Sequence, residues 1–427
     1  MRAEPQLADS KIRRAPFELA QMPPILHSAV HPEVPPLMSI TSLRCPAPIR
    51  RRLPVAPRDY DLRDRAITAF EQQDFASSIQ LALQYLLPEI SIPDLAAEPL
   101  LIVQGSARVR VHIDAGSLAI SAALAELQSG SAATAALRYY LTRLSATGQL
   151  FQPRLRGAVL SLEFRDQLGL MHPLKLIEVL QRLPMEADAN DGWMVERFHV
   201  STPDREPVAT LAEPEFDQAW AIWNDHWSAM NELLLESRRR RSVRFLDTLG
   251  SLAANHIRYL LPLFGPVRAD LNESAETFTD NEEHPNKRDS SLAKCIKSMS
   301  KVSQEQLRNC LGHASYAINP LQEGTPSLIS SMLSGNRMQS TGELRSAGRS
   351  LEAALELISD YVYLLAYHSW PAEIESTLRT GLEQASDKPW REAADLLWNH
   401  ANSTVRSHGN DLDPSVAEES AEYSYDA

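Results

Sequence analysis

The sequence predicts an α+β fold: a curved antiparallel sheet with flanking helices (α-β-β-β-α-β-β-α), followed by a mostly α-helical C-terminal region. The strand prediction rests on the alternating stretch RVRVHI from Arg108, whose period of two is typical of a strand with one buried face. The helix prediction rests on apolar residues that recur every three or four positions beyond residue 213. At 427 residues, of which 44% are hydrophobic, the chain is long enough for two or three domains.

The first domain is predicted to cover residues 59–200 and to open with helix followed by a β-meander. The apolar spacing of LRDRAITAFEQQDFASSIQLALQYLLPEI suits one helix or a short helical hairpin. The apolar run Leu100–Val103 then ends at a Gly-Ser turn, and the alternating stretch ends at a second turn at Asp114. Leu118–Leu124 supplies the third strand, so we expect three strands joined by tight turns.

The second half of this domain is predicted to add a helix, two strands and a final helix. The stretch SGSAATAALRYYLTRLSATG has capping residues at its start and a glycine at its end. QLFQPRLRGAVLSLEF indicates two short strands with a bend near Gly157. LKLIEVLQRLPMEAD places Leu174, Ile177, Leu180 and Leu183 on one side of a helix.

Composition predicts the remaining boundaries. Residues 1–58 hold 11 of the 28 prolines, which favours a disordered, proline-rich leader because proline lacks the amide that regular structure needs. The further predicted segments are a helical segment at 213–270, a polar linker at 271–291, a helical C-terminal domain at 292–408 and a disordered acidic tail at 409–427.

Charge and cysteine content narrow the class of protein. The net charge of −13 argues against general nucleic-acid binding, which needs a basic face for the phosphates. Three scattered cysteines, with no close pair, indicate a reducing compartment. The apolar stretches are too short and too polar to predict membrane insertion, and the first residues do not resemble a signal peptide. We therefore expect a cytoplasmic location, with export by a route independent of a signal peptide left open.

No motif predicts chemistry. The sequence contains no HExxH, CxxC, GxSxG, P-loop or GxGxxG, so we assign no catalytic, cofactor-binding or metal-binding residue, expect no cofactor and predict that the protein is not an enzyme. His112 and Asp114 share a strand face and could act as a general base pair, although exposed polar residues of an alternating strand explain them as well. An enzyme with a site near His313, His368 or His400 is the remaining alternative.

Three stretches carry a resemblance to a known family: RVRVHIDAGSLAISAAL, AALRYYLTRLSATGQLFQPRLRGAVLSLEF and HPLKLIEVLQRLPMEAD. Through them residues 61–190 resemble a type III secretion chaperone domain of the CesT-like and YbjN-like group. The resemblance implies a non-enzymatic domain that usually dimerises. It also implies that an extended segment of a secreted protein binds to hydrophobic patches beside the sheet.

The functional prediction is therefore a protein-binding chaperone or adaptor whose partner is another polypeptide, either a secreted bacterial client or a secretion component. An exposed sheet edge can accept a strand by backbone hydrogen bonding, and we place the candidate partner contact on the first strand, at Leu100, Ile102 and Val103. The competing interpretation is that these three residues are core. The alternative function is an exported effector or host-interacting protein that uses residues 1–58 as its secretion leader.

Overall fold

The computed structural model of the protein describes residues 40–55, 58–127, 131–143, 150–189, 198, 200–201 and 205–409. The helices are α1 Tyr60–Glu71, α2 Phe75–Leu86, α3 Ser131–Arg143, α4 Pro173–Ala189, α5 Glu213–Arg240, α6 Val243–Leu260, α7 Gly265–Phe278, α8 Pro285–Met299, α9 Gln304–Arg308, α10 Pro326–Leu333, α11 Gly335–Ser346, α12 Ser350–Tyr367, α13 Ala372–Ala385 and α14 Trp390–His408. The strands are β1 Leu100–Gly105, β2 Ala107–Asp114, β3 Ser117–Glu126, β4 Gln152–Arg156, β5 Val159–Gln167, β6 Ala209–Thr210, β7 Gly312–His313, β8 Ser315–Tyr316, β9 Gln322–Glu323 and β10 His368–Ser369.

The predicted fold class is confirmed. Six strands form one antiparallel sheet in the order β4-β5-β3-β2-β1-β8, with helices against one face and a mostly helical region following. The predicted initial helix is a hairpin of α1 and α2, and the five predicted strands are β1–β5. The sixth strand, β8, comes from the C-terminal region and was not predicted. It pairs with the end of β1, where Gln104 lies opposite Tyr316.

Local chemistry explains the helical hairpin. The carboxylate of Asp59 accepts from the first backbone amides of α1, and that of Asp74 accepts from Ser77 N at the start of α2, which satisfies donors that a helix start leaves unpaired. The buried hydroxyl of Ser78 then donates to Ala66 O at 2.8 Å, which ties the two helices together. α4 contacts β1, β2, β3 and β5, and its buried apolar residues form the helix layer of the sheet core.

Two hydrophobic cores result. The sheet core contains the inward residues of β1–β3 and β5, the buried faces of α2 and α4, and Ile318 from the C-terminal region. The helical core extends through α5–α8 and α10–α14 around α12, of whose 18 residues 15 are buried. Asp188 at the end of α4 links the two parts, because its carboxylate accepts from Ser106 N at 2.9 Å and from Arg268 Nη1 at 3.2 Å.

The prediction of a disordered leader at 1–58 is wrong for residues 40–55. This strap, residues 40–55, has no regular structure but packs on the helical region, where Leu43 and Cys45 are buried. Its backbone amides find acceptors outside the strap: Ile49 N and Arg50 N both donate to Leu260 O. Proline content therefore excluded helix and strand but did not exclude packing. The rest of the predicted leader lies outside the described residues.

The predicted polar linker at 271–291 is also wrong, because α7 and α8 occupy most of it. Leu271, Ala275 and Phe278 are buried on α7, enough apolar contact to hold an otherwise polar helix. Pro285 stands at the start of α8, where its missing amide has no cost, and the His284 side chain accepts from the next amide. The predicted helical segment thus continues through Phe278.

The predicted C-terminal domain at 292–408 is mostly helical, with the short strands β7–β10 added. All but the first residue of the predicted tail at 409–427 lie outside the described residues. In the described parts of the chain, no helix is long and apolar enough to cross a membrane.

Candidate functional site

A groove of about 630 Å³ lies where the first domain, the strap and the C-terminal region meet. Its lining residues come from five separate stretches of the chain: Leu53–Val55 with Arg58, Tyr85–Ile90, Gln181 with Met185, Tyr316–Glu323, and Ser369. We call this feature the junction groove. Its size is within the range of ordinary ligand sites, and such sites occur preferentially between domains.

The floor of the groove is the segment Tyr316–Glu323, which is held against the edge of β1. Ala317 N donates to Val103 O at 3.0 Å, as a continuation of the β8 pairing. The fully buried side chain of Gln104 then replaces one further step of the ladder: its Nε2 donates to Ile318 O at 2.8 Å and its Oε1 accepts from Ile318 N at 3.0 Å. Because a buried amide without partners is costly, Gln104 fixes this segment in place.

The second wall is the end of α2 and the turn after it. Pro88 cannot continue the helix, so the chain leaves α2 at Leu87. Leu86 and Ile90 are consequently half-buried, and Pro88 itself is exposed at the groove. Met185 of α4 completes this side, where its sulfur also accepts from Gln104 Nε2 at 3.1 Å.

The third wall is the end of the strap. Arg52 anchors it through Trp370 O at 2.8 Å and Glu375 Oε2 at 2.8 Å. Asn319 Nδ2 donates across the groove to Pro54 O at 3.3 Å. At the rim, Arg58 and Glu323 form an exposed ion pair with a 3.5 Å separation.

The chemistry of the groove suits binding. Its apolar lining includes the half-buried aliphatic side chains of Leu53, Val55, Leu86, Ile90 and Leu321 and the exposed rings of Pro54, Pro88 and Pro320. The described histidine and carboxylate pKa values that burial shifts most strongly belong to the helical core. Burial lowers the pKa of His226 to about 4 and of His256 to about 3, and it raises the pKa of Asp360 to about 6.

The predicted partner-contact residues lie beside this groove but do not line it. Leu100 and Ile102 are 4% and 0% exposed and belong to the sheet core. Val103 is half-buried, and its carbonyl is occupied by Ala317 N. The outward residue of this part of β1 is Leu101, which is 57% exposed.

Part of the β1 side of the sheet and the β4 edge are protected against strand addition. The prediction that β1 has an open edge is wrong over Val103–Gly105, because β8 and Ala317 cover it. At the opposite edge, β4 contains Pro153, which has no amide, between exposed residues that include Arg154 and Arg156. Proline and charge on a short edge strand are the usual protection against pairing with another chain.

The histidines considered for catalysis do not come together. His313 Nε2 lies 3.7 Å from Glu215, His400 Nδ1 shares a 2.8 Å hydrogen bond with the Tyr361 hydroxyl, and His368 packs against Tyr363 and Trp370. Asp114 pairs with Arg165 at 3.1 Å. Within the described ranges, no group of three or more His, Cys, Asp or Glu side chains is placed to hold a metal ion.

Sequence reasoning missed the junction groove because its floor carries little local signal. Tyr316–Glu323 contains neither an apolar period nor a long alternating run, and its Asn-Pro step indicates only a turn. Comparisons with family models, with curated proteins and with solved structures found no match, so the resemblance to secretion chaperones stays a prediction.

Proposed function

We propose that the protein is a non-enzymatic chaperone or adaptor that binds an extended segment of another polypeptide in the junction groove, with a secreted bacterial protein as the client class. The observation that carries this proposal is the groove itself: about 630 Å³, walled by aliphatic and proline side chains from three distant stretches of the chain. The proposal moves the partner contact from the β1 edge to the adjoining surface.

The lining supports a polypeptide ligand for energetic reasons. Half-buried aliphatic side chains such as Leu86 and Leu321 still contact water, and covering them yields roughly 25 cal/mol for each Å² of apolar surface. Pro54, Pro88 and Pro320 have little conformational entropy to lose, so a wall built from them is already ordered before a ligand binds. Apolar pockets with a few polar groups are typical of sites that recognise alternate side chains of an extended chain.

The rim supplies orientation. Arg58 and Glu323 lie at the groove with both side chains about two-fifths exposed, and Glu89 is exposed beside Pro88. Exposed charges of this kind contribute little free energy of binding, but they select the direction and the flanking charges of a bound segment.

Site-specific crosslinking tests the proposal. Benzoylphenylalanine at position 321 should crosslink to a chemically unfolded test polypeptide, and Leu86→Glu in the same chain should reduce the crosslinked yield at least fivefold because it places a charge in the apolar wall. The matched control is Leu170→Glu, since Leu170 is 61% exposed and does not line the groove. Equal yields for the two variants would contradict the groove as the binding site.

Prevention of aggregation separates a chaperone from a simple binder. The full chain should slow the aggregation of the same unfolded polypeptide at equimolar ratio, and Leu86→Glu should abolish the effect while Leu170→Glu retains it.

The resemblance also implies a homodimer, which sedimentation equilibrium measures directly. A monomer at all concentrations would remove the homodimer from the proposal and leave the groove prediction standing.

A further inference from the structure

The outward face of the sheet carries an excess of arginine. On β1–β5 the residues opposite one another share a face, so the pairs Arg110–Ser121, Ser121–Glu163 and Ala119–Arg165 define it. The arginines on this face are Arg108, Arg110, Arg154, Arg156 and Arg165, and the carboxylates on the same strand positions are Asp114, Glu126 and Glu163. Glu206, which lies outside these strands, also pairs with Arg108 at 2.9 Å, so five guanidinium groups meet four carboxylates here, whereas the whole chain has a net charge of −13. We call this surface the arginine face.

The side chains at the centre of the arginine face are small, whereas those at its borders are long. Between its two ends, the middle strand β3 presents Ala119, Ser121 and Ala123 outward, and β5 adds Ser161 beside Ala123. Long arginine side chains lie on both sides of these small residues, on β2 and, on the other side, on β5 and β4. The face therefore forms a shallow trough with cationic walls.

The cations are only partly neutralised. Arg156 donates two hydrogen bonds to Glu163, at 2.7 and 2.8 Å, and Arg165 Nη2 lies 3.1 Å from Asp114 Oδ2. Arg154 lies 3.8 Å from the same Glu163, so two arginines share one carboxylate. Arg110 is exposed, and within the part of the chain that the structure describes no side chain pairs with it.

The chain contains a segment of complementary charge. Residues 410–427, NDLDPSVAEESAEYSYDA, have six carboxylates and no lysine or arginine. At roughly 3.3 Å per residue these 18 residues can extend about 60 Å, whereas a folded unit of this size has a radius of gyration near 21 Å. Tethering also raises the effective concentration of such a segment to the millimolar range, so that weak ionic contacts suffice for occupancy.

We propose that the arginine face is a docking surface for the acidic segment 410–427 of the same chain. Carboxylates pair with guanidinium groups in a fork geometry, and Tyr423 and Tyr425 supply rings on which guanidinium groups stack. The outward positions of β1–β5 carry no Phe, Tyr or Trp, so the face lacks the stacking platform that single-stranded nucleic acid requires. A docked segment shields the face from other acidic chains.

Proteolysis of the full chain tests this docking. A glutamyl endopeptidase that cleaves after Glu419 releases Ser420–Ala427, and the rate of release reports how often the segment is free. In low salt we expect Arg110→Glu to raise this rate at least threefold, and we expect 0.5 M NaCl to remove the difference because exposed ion pairs are screened. The matched control, Arg65→Glu, changes an exposed arginine on α1 and should leave the rate unchanged.

Competition supplies the second readout. A full chain whose six carboxylates in 410–427 are replaced by amides should bind a labelled 410–427 peptide at least tenfold more tightly than the unmodified chain, whose own segment competes. Arg110→Glu in the amide variant should weaken that binding, and Arg65→Glu should not. Equal affinities of the amide variant and the unmodified chain, or equal rates of release for Arg110→Glu and the unmodified chain, would overturn the proposal.

Discussion

The two cores of this protein differ in what they bury besides apolar side chains. The sheet core includes the neutral groups Ser78, Gln104 and Ser106, and its buried carboxylate, Asp188, lies at the joint with the helical region. The helical core buries ionisable groups within it: Glu352, Glu356, Asp360, His226, His256 and Arg288. The sheet is therefore held by apolar packing and backbone ladders, whereas the helical region depends on the protonation state of its interior.

The carboxylates of the helical core form one row. Glu352, Glu356 and Asp360 are four residues apart and so lie on one face of α12. Each has an arginine partner from another element: Arg240 at 3.1 Å from Glu352, Arg244 with Nη2 2.6 Å from Glu356, and Arg337 with Nε 2.8 Å from Asp360. Ion pairs between helices therefore contribute to the stability of the helical core. We expect pH and substitutions to change the unfolding free energy of the helical region and of the sheet by different amounts.

The largest expected effect is acid destabilisation of the helical core. Burial lowers the pKa of His226 to about 4 and of His256 to about 3, below the ordinary value of 6.5, so the unfolded chain binds more protons than the folded chain. The contribution of each histidine to the unfolding free energy is fully present above pH 6.5 and is lost as the pH is lowered. The loss is roughly 3 kcal/mol per histidine at pH 4. Asp360, whose pKa burial raises to about 6, acts in the opposite sense and stabilises the fold as pH falls below 6.

Urea unfolding between pH 7 and 4 measures this effect, and amide exchange resolves the two regions. The helical region should open at a higher pH than β1–β5. His256→Phe, which keeps an aromatic ring next to His226, should make the unfolding free energy less dependent on pH by about the share of one histidine. If the sheet exchanged its amides at a higher pH than the helical region, or if His256→Phe left the pH dependence of the unfolding free energy unchanged, the helical core would not be the acid-sensitive part of the fold.

The second prediction contrasts a buried with an exposed ion pair. Glu356→Ala leaves Arg244 without its carboxylate and Thr341 without its acceptor, and we expect a loss of about 2–4 kcal/mol of unfolding free energy. Asp225→Ala removes the partner of Arg44 from an ion pair in which both side chains are more than half exposed, and it should cost under about 1 kcal/mol. Chemical denaturation of both variants gives the two numbers, and equal losses would contradict the distinction.

The sequence predicted those features that depend on neighbouring residues. Alternation predicted β2, and apolar spacing predicted helix over α1 and α2, because each pattern is decided within a few residues. Trp223 and Trp227, one helical turn apart, are almost fully buried, in keeping with the helical period predicted beyond residue 213. The helical character of the C-terminal region followed from the same periodicity.

The sequence could not predict contacts between distant segments. β8 is two residues long and exists because Gln104 and Val103 offer partners some 210 residues away. The strap packs because Leu43 and Cys45 meet the helical core, which proline counting does not reveal. The junction groove is made from such contacts, so its position required the structure.

The third prediction concerns the joint between the two regions. Gly105 has φ +60°, and a Cβ there would lie 1.8 Å from Asp188 Oδ1, so Gly105→Ala is strained by both backbone and neighbour. The displaced carboxylate would lose Ser106 N and Arg268. We expect a loss of about 2–3 kcal/mol, measured by thermal unfolding. Gly116→Ala, with φ +74° and no atom within 4 Å of the added Cβ, is the control for backbone strain alone. An equal loss of unfolding free energy in the two variants would show that the contacts of Asp188 at the joint do not add to the effect.

The smallest effect is expected at the rim of the junction groove. Arg58 and Glu323 are both about two-fifths exposed and 3.5 Å apart, so Arg58→Ala should change the unfolding free energy by less than about 0.5 kcal/mol. Because the same residue lines the groove, the substitution should nonetheless change which flanking charges a bound polypeptide prefers, a change measured with peptides that differ only in end charge. A stability loss above about 1 kcal/mol would mean that Arg58 is part of the scaffold, whereas an unchanged peptide preference would show that the rim does not read charge.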